Sequence, residues 1–426
     1  MWRMKKYDEY KDSGVEWIGK VPSHWEVCRL KHIASINGRV GYKGYTTADL
    51  VTEGNGAYAI GGKHITNCYL NLSNADYISW EKYYESPEIM VQKGDLVMAQ
   101  RGSLGKVAFI DREIGAATIN PSLVLLNKLK VVGKFLYYSL LSDNILTTIG
   151  FLNTSTAVPM ISQNQIENMV IPIPPFGEQH SIASYLDKKC GEIDKVISAQ
   201  QKRIALLQEL KQSVITHAVT KGLNPNVEMK DSGVEWIGEV PKYWEVCRFK
   251  DFISLKTDAS ISEVKIGLEN IESKSGKFIE TSTEFEGNGV AFAKADVVYG
   301  KLRPYLQKVW LAEFDGNAVG DFFVFRAKRN STPSFIKYLL LSDGFTKEAD
   351  GSTVGAKMPR VSSNFILTMH YCLPTKSEQH AIATYLDKKC ASIDSSISKA
   401  QHQVALLQEY KQSLITEVVT GKRKVC

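Results

Sequence analysis

The stretch EQHSIASYLDKKCGEIDKVISAQQKRIALLQELKQSVITHAVT, from Glu178 to Thr220, returns as EQHAIATYLDKKCASIDSSISKAQHQVALLQEYKQSLITEVVT from Glu378 to Thr420. Steps of seven from Leu186 reach Ile193, Gln200, Leu207 and Val214, and steps of seven from Cys190 reach Ile197, Ile204, Lys211 and Ala218. Two interleaved apolar tracks at this spacing make a heptad seam along a helix. In the second copy the same positions are Leu386, Cys390, Ile393, Ile397, Ala400, Val404, Leu407, Lys411, Leu414 and Val418. At ~1.5 Å per residue each copy would form a rod on the order of 60 Å long. The simplest partner for one rod is the other. Leu186, Ile193, Ile197, Ile204, Leu207 and Val214 would then face Leu386, Ile393, Ile397, Val404, Leu407 and Leu414. Lys211 and Lys411 interrupt both seams at the same place; either they reach to its edge or they mark where the pair opens to admit a partner.

Outward from the helices the repeat continues. KDSGVEWIGKVPSHWEVCRLK, from Lys11, returns as KDSGVEWIGEVPKYWEVCRFK from Lys230, an offset of 219. From FLYYSLLSD at Phe135 and FIKYLLLSD at Phe335 the offset is 200, and it holds through both long helices. The 19-residue difference therefore lies within Ile33 to Lys134 in one half and Phe252 to Ser334 in the other. A frame that keeps its ends and its helix while its insert changes is a scaffold presenting two versions of one surface.

A chain of 426 residues is too long for one core and implies two to four domains. No run approaches the ~18 apolar residues of a membrane span, and MWRMKKYDEYKDSG has no apolar signal core, so a cytoplasmic protein with no membrane partner is expected. Seven cysteines without a CxxC pair suggest free, mostly buried thiols. A net charge of +6 is shared by too many proteins of this size to indicate a partner.

Both inserts read as short strands broken by Gly and Asn. In the first these are VGYKGYTTADL, GAYAIGGKHITN, DLVMAQRGSLGKVAFID and PSLVLLNKLKVV; in the second, VKIGLENIE, GKFIETSTEFEG, DVVYGKLRPYLQKVWLAEFD and DFFVFRAKR. Each insert then enters a short helix, Phe135 to Ser142 and Phe335 to Ser342, followed by a polar loop, TSTAVPMISQNQ or GSTVGAKMPRVSS. Prolines precede both long helices, and Gly222 and Gly421 end them.

The DSGVEWIG-VP--WEV block at both repeat starts, the proline followed by EQ--IA-YLD at both helix starts, and LLQE-KQS-I in both helices resemble the specificity subunits of type I restriction-modification enzymes. The resemblance covers nearly the whole chain. It implies an α+β fold of two globular target recognition domains separated by two long antiparallel coiled-coil helices, a pseudo-two-fold internal repeat. On that pattern residues 1–175 form the first recognition domain, 176–222 the central helix, 223–375 the second recognition domain and 376–426 the C-terminal helix. The resemblance further implies that each domain reads one half of a bipartite double-stranded DNA target, with two methyltransferase subunits docked on the helices. In the restriction form two motor-nuclease subunits join them.

Chemistry within the chain itself finds little support. Asn120-Pro121-Ser122-Leu123 lacks the second proline and the aromatic of an adenine-methyltransferase pocket and reads as a turn entering a strand. Gly102 to Lys106 is too short for a phosphate-binding loop and is followed by Val107. Asp258 with Glu263 and Lys265 is better read as solvated charge at a strand edge than as a metal nuclease, and His180 and His380 lack companion metal ligands. No catalytic residue, metal or cofactor is expected. DNA contact is the better use for the basic and aromatic residues of the inserts, since Arg can bond a guanine edge twice and Lys can bind phosphate as a point charge. The candidates are Arg39, Tyr42, Lys43, Lys63, Arg101, Ser103 and Lys106 in the first half. In the second they are Lys301, Arg303, Tyr305, Lys308, Lys357 and Arg360. The reading is a non-catalytic DNA-specificity subunit. The alternatives are a coiled-coil adaptor with two protein-binding globular ends, and an enzyme fused to its own specificity domain, which the missing cofactor motif argues against.

Overall fold

The repeated stretches form two single helices, Phe176–Lys221 of 46 residues and Lys376–Val419 of 44. They are seen in a computed structural model that describes residues 6–39, 44–153, 157–260, 262–355 and 357–425. The fold is α+β with an internal repeat. The chain divides into two compact units, Met1–Ala199 with Gln403–Cys426, and Gln200–His402. Each unit therefore contains one insert, the first half of the helix that follows it and the last half of the other helix.

The same two sheets are built in each unit. In the first, Ser35–Gly38, Leu123–Asn127, Leu96–Ala99 and Val107–Phe109 lie side by side, all antiparallel. In the second, Ile253–Lys256, Phe322–Ala327, Val297–Gly300 and Val309–Leu311 repeat that order. A second four-stranded sheet in each unit includes one parallel pair, Gly56–Ile60 with Ala117–Ile119 and Lys265–Ile266 with Gly316–Ala318. The paired sheets let the length difference be placed. The Lys130 amide bonds Ile33 and the Asn120 amide bonds Ile60, and their counterparts are Lys328 to Phe252 and Val319 to Ile266. Between these marks lie steps of 27 residues, from 33 to 60, and 14, from 252 to 266. Most of the extra length of the first insert is thus spent before its central strand.

Where one short helix was expected after each insert, two form: Gly133–Leu140 then Asp143–Leu152, and Pro333–Leu340 then Asp343–Gly351. The second of each pair is anchored by the long helix, because the Asp143 amide donates to Thr416 Oγ1 at 2.9 Å and the Asp343 amide to Thr216 Oγ1 at 3.1 Å. Those partners lie more than a hundred residues away, so local pattern carries no sign of them.

Within each unit the helix halves run antiparallel. In the first, Leu186, Cys190, Ile193 and Ile197 share a core with Leu414, Ile415, Val418 and Val419, and Val404 and Leu407 pack on it. In the second, Leu386 and Cys390 share a core with Ile215, Ala218 and Val219, with Val214 against it. Ile393 is buried, while Ile204, Leu207 and Ile397 are half-buried. Each fully buried aliphatic contributes ~1.5–3 kcal/mol relative to exposure, so the ends of the seams, covered by the sheets and short helices, supply most of the adhesion. The two lysines do not open the seam. Lys211 Nζ lies 2.8 Å from Asp394 Oδ1, and Lys411 Nζ lies 2.7 Å from Asp194 Oδ1.

The repeated Glu-Gln at each helix start clasps the unit together. Glu178 accepts from Trp25 Nε1, Tyr7 and His24; Glu378 accepts from Trp244 Nε1 and Tyr243. Gln179, buried, accepts from the Val132 amide and donates to the Pro174 carbonyl, and Gln379 does the same with Thr332 and Pro374. The C-terminal helix ends at Gly421 with φ 71°. A Cβ there would lie 2.2 Å from Pro22 Cδ, so only glycine lets the helix end seat on the repeat start. No helix among the described residues is long and apolar enough to cross a membrane.

Candidate nucleic-acid interface

In the second unit two loops distant in sequence meet at one rim. Strand Val297–Gly300 leaves its sheet into Lys301, Leu302 and Arg303, and Pro304 starts a 3-10 turn, Pro304–Leu306. The polar loop is strapped alongside: the Arg303 amide donates to Pro359 O at 2.8 Å and the Val361 amide to Lys301 O at 3.2 Å. Arg360 and Val354 exchange both backbone bonds, at 3.2 and 3.3 Å. Arg360 then spans to a third segment, placing Nε 3.0 Å from Asp321 Oδ1 and Nη2 2.8 Å from Asp321 Oδ2. Lys301 Nζ stands 3.7 Å from the same carboxylate. The Arg360 bonds hold the Asp321 carboxyl below the usual carboxylate range, against the opposing effect of its partial burial. Arg303, Tyr305 and Lys357 are exposed beside this group.

The first unit has the same rim with different side chains. The Gly102 amide donates to Pro159 O at 2.8 Å, the Ile161 amide to Gln100 O at 2.9 Å, and Arg101 bridges Met160. Arg101 and Ser103 are exposed, and Lys106 is half-buried. The Gln100 amide bonds Ser122 O as the Lys301 amide bonds Asp321 O. Backbone equivalence therefore pairs Gln100 with Lys301, Gly102 with Arg303, Ser122 with Asp321 and Met160 with Arg360. One rim is uncharged at these four places; the other carries one acid among three bases.

Not every expected contact residue lies on these rims. Arg39 is 5% exposed, donates from Nε to Ile119 O and from Nη2 to Thr118 Oγ1, and stacks on Tyr45. Lys308 is likewise turned inward, its Nζ donating to Leu268 O and Ile271 O at 2.7 and 2.8 Å. Both cations are drawn inward by backbone oxygens distant in sequence, Ile119 O for Arg39 and Leu268 O and Ile271 O at a 3-10 turn for Lys308, and spacing alone does not reveal those carbonyls. Burial lowers the pKa of both groups. Lys63 is exposed and pairs with Asp76 at 2.7 Å. Tyr42 and Lys43 lie outside the described residues. Asp258, considered as a metal ligand, pairs with Lys256 at 2.8 Å.

Residues 22–208 match the family described as the type I restriction modification DNA specificity domain. Over this stretch the chain is similar to the DNA specificity domain of type I restriction-modification enzymes, and its relatives are specificity subunits of that class. The MjaVIII specificity subunit of Methanocaldococcus jannaschii is 24% identical to it over 95% of this chain and 94% of that one. The EcoDI specificity subunit of Escherichia coli is 24% identical over 68% of this chain and 70% of its own. A chain from a solved structure concerned with complex assembly and conformational transition of the type I R-M system shares the fold. It has a TM-score of 0.68 at 14% identity, covering 94% of this chain and 98% of that chain. Sequence reasoning passed over four of the rim positions, Asp321, Met160, Gln100 and Ser122. The register offset of 200 aligns PMIS with PRVS, from Pro159 and Pro359. That alignment was the available signal for position 160; Asp321 has none, because it meets Arg360 only in three dimensions.

Proposed function

We propose that this chain is a specificity subunit that reads a bipartite double-stranded DNA target, one recognition region to each half, and positions catalytic partner subunits without turning over substrate itself. The observation that carries this reading is the pair of rims: one backbone frame, built twice, presenting different side chains at matched places. A device for reading two unlike half-sites needs that combination, whereas an adaptor for two copies of one protein would keep the rims alike. We take residues 1–175 and 223–375 as the recognition domains, and 176–222 and 376–426 as the helices that set the gap between the half-sites. Leu206 and Leu210 on one helix, and Leu406 and Tyr410 on the other, are exposed at matched positions. Four large apolar side chains in water favour a covering partner, and we assign these faces to two methyltransferase subunits, joined in the restriction form by two motor-nuclease subunits. The complex works in the cytoplasm.

The test is an exchange. Replacing Ile33 to Lys134 by the corresponding insert of another family member, and mapping methylated sites in cells that carry the methyltransferase subunit, should change one half-site and leave the other intact. A change in both halves, or in neither, would count against modular reading. The chain with its methyltransferase should also shift its target DNA in a salt-dependent way and leave a scrambled site unshifted.

A further inference from the structure

We propose that Arg360 reads a guanine in the half-site bound by the second unit, with Asp321 as its positioning residue. The inference rests on the bipartite DNA-reading function proposed above.

Asp321 occupies one edge of the guanidinium, Nε and Nη2. The other edge, the Nη1–Nη2 fork, has no partner among the described residues and points two N–H donors outward. That fork matches the O6 and N7 acceptors of guanine in the major groove. Free arginine side chains lose rotamer freedom on binding; this one has already lost it, held by two side-chain bonds and by a backbone tied to Val354 and, through Val361, to Lys301. Such pre-setting favours discrimination between bases.

A phosphate could occupy the same fork, but two observations weigh against it. Asp321 remains ionised and partly exposed beside the fork, and a carboxylate there repels a second anion while leaving a neutral base edge undisturbed. Phosphate is also the same in every half-site, so a phosphate contact would be wanted on both rims. The equivalent position in the first unit is instead Met160, which is exposed and uncharged, with Ser122 where Asp321 stands. The contact changes where the sequence read is expected to change. The backbone nearby points the same way, for Arg303 takes φ 51° where the first unit has Gly102 at 79°. A left-handed arginine costs stability, and chains keep such strain where a side chain is needed.

The experiment uses the full chain with its methyltransferase subunit, mapping methylated sites for the natural chain, Arg360→Met, Arg360→Gln and Asp321→Asn. Met is already carried by this frame in the first unit, so Arg360→Met keeps the fold, and an unchanged first half-site in the methylated sites verifies this directly. The natural second half-site should contain a guanine at one position. In Arg360→Met, preference at that position should fall by roughly 10- to 100-fold with every other position kept. Arg360→Gln should move the preference toward adenine, and Asp321→Asn should relax the same position more mildly. A second half-site of A·T pairs alone would overturn the proposal. So would an Arg360→Met chain that methylates the same sites less efficiently, which is the signature of a phosphate contact, or one that methylates them unchanged. A natural complex that methylates no bipartite site would instead sink the underlying DNA-reading function.

Discussion

Lys211 Nζ is held 2.8 Å from Asp394 Oδ1 inside the helix pair, with the lysine only 7% exposed. In its counterpart Lys411 Nζ donates to both carboxylate oxygens of Asp194, at 2.7 and 2.8 Å, but both side chains are more exposed. Removing one partner of a buried pair strands the other charge, and the cost grows with the burial of the charge left behind. Asp394→Ala should therefore destabilise the chain by about 2–3 kcal/mol, and Asp194→Ala by about 1 kcal/mol or less. Lys211→Met should cost less than Asp394→Ala, because Asp394 is the more exposed partner and keeps Lys277 Nζ at 3.2 Å. Denaturant unfolding of the three variants decides this, and equal losses for the two aspartate variants would contradict it.

The helices as rulers give a second expectation. Four residues inserted near Gln201 add ~6 Å of helix, against a base-pair rise of ~3.4 Å. The gap in the methylated sites should lengthen by one or two base pairs while both half-sites stay the same. Methylation of the original spacing with undiminished efficiency would show that the helix does not set the gap.

A chain cut to residues 1–222 should survive only as a dimer. The first unit draws Leu414, Ile415, Val418 and Val419 from the C-terminal helix into its core, and the fragment lacks them. A second copy can supply Val214, Ile215, Ala218 and Val219 in their places. With Val for Leu and Ala for Val the seam loses methyl groups, and no tether raises the local concentration, so pairing is weaker than in the whole chain. With the methyltransferase, the dimer's target should be an inverted repeat of the first half-site. Sedimentation and site mapping check both points; a stable folded monomer at tens of micromolar, or marking of the original asymmetric site, would show that the halves are not interchangeable.

Acid should loosen the clasp at the first helix start. Burial raises the Glu178 pKa, but bonds from His24, Trp25 and Tyr7 outweigh it and hold the carboxyl below its ordinary value of 4.5. A carboxyl depressed in the folded state binds its proton more readily when unfolded. Its stabilisation is therefore full above about pH 4.5 and is lost as pH falls through the lower folded value. Glu178→Gln should unfold more easily at neutral pH and lose less further stability between about pH 5 and pH 3 than the natural chain. Parallel stability profiles for the two would remove Glu178 from the acid response.

Much of this architecture is written in the residues. Duplication, the two long helices, the apolar seam and the β-rich inserts all follow from periodicities and repeats that a chain carries locally, because helix and strand faces recur every few residues. What local pattern could not supply is the partner of each polar group. Whether Lys211 meets water or Asp394 depends on the register of a helix that begins 165 residues later, at Lys376. Whether Arg39 faces DNA or the carbonyl of Ile119 depends on a strand of the other sheet, some eighty residues further along the chain. Local pattern likewise gives no sign that Glu178 and Glu378 each accept from a tryptophan, Trp25 and Trp244, and Asp321 carries no pattern at all. Apolar side chains are placed by burial, which is short in range along the sequence and tolerant of detail. Hydrogen bonds and ion pairs are placed by direction and distance, and those exist only once the chain has closed on itself.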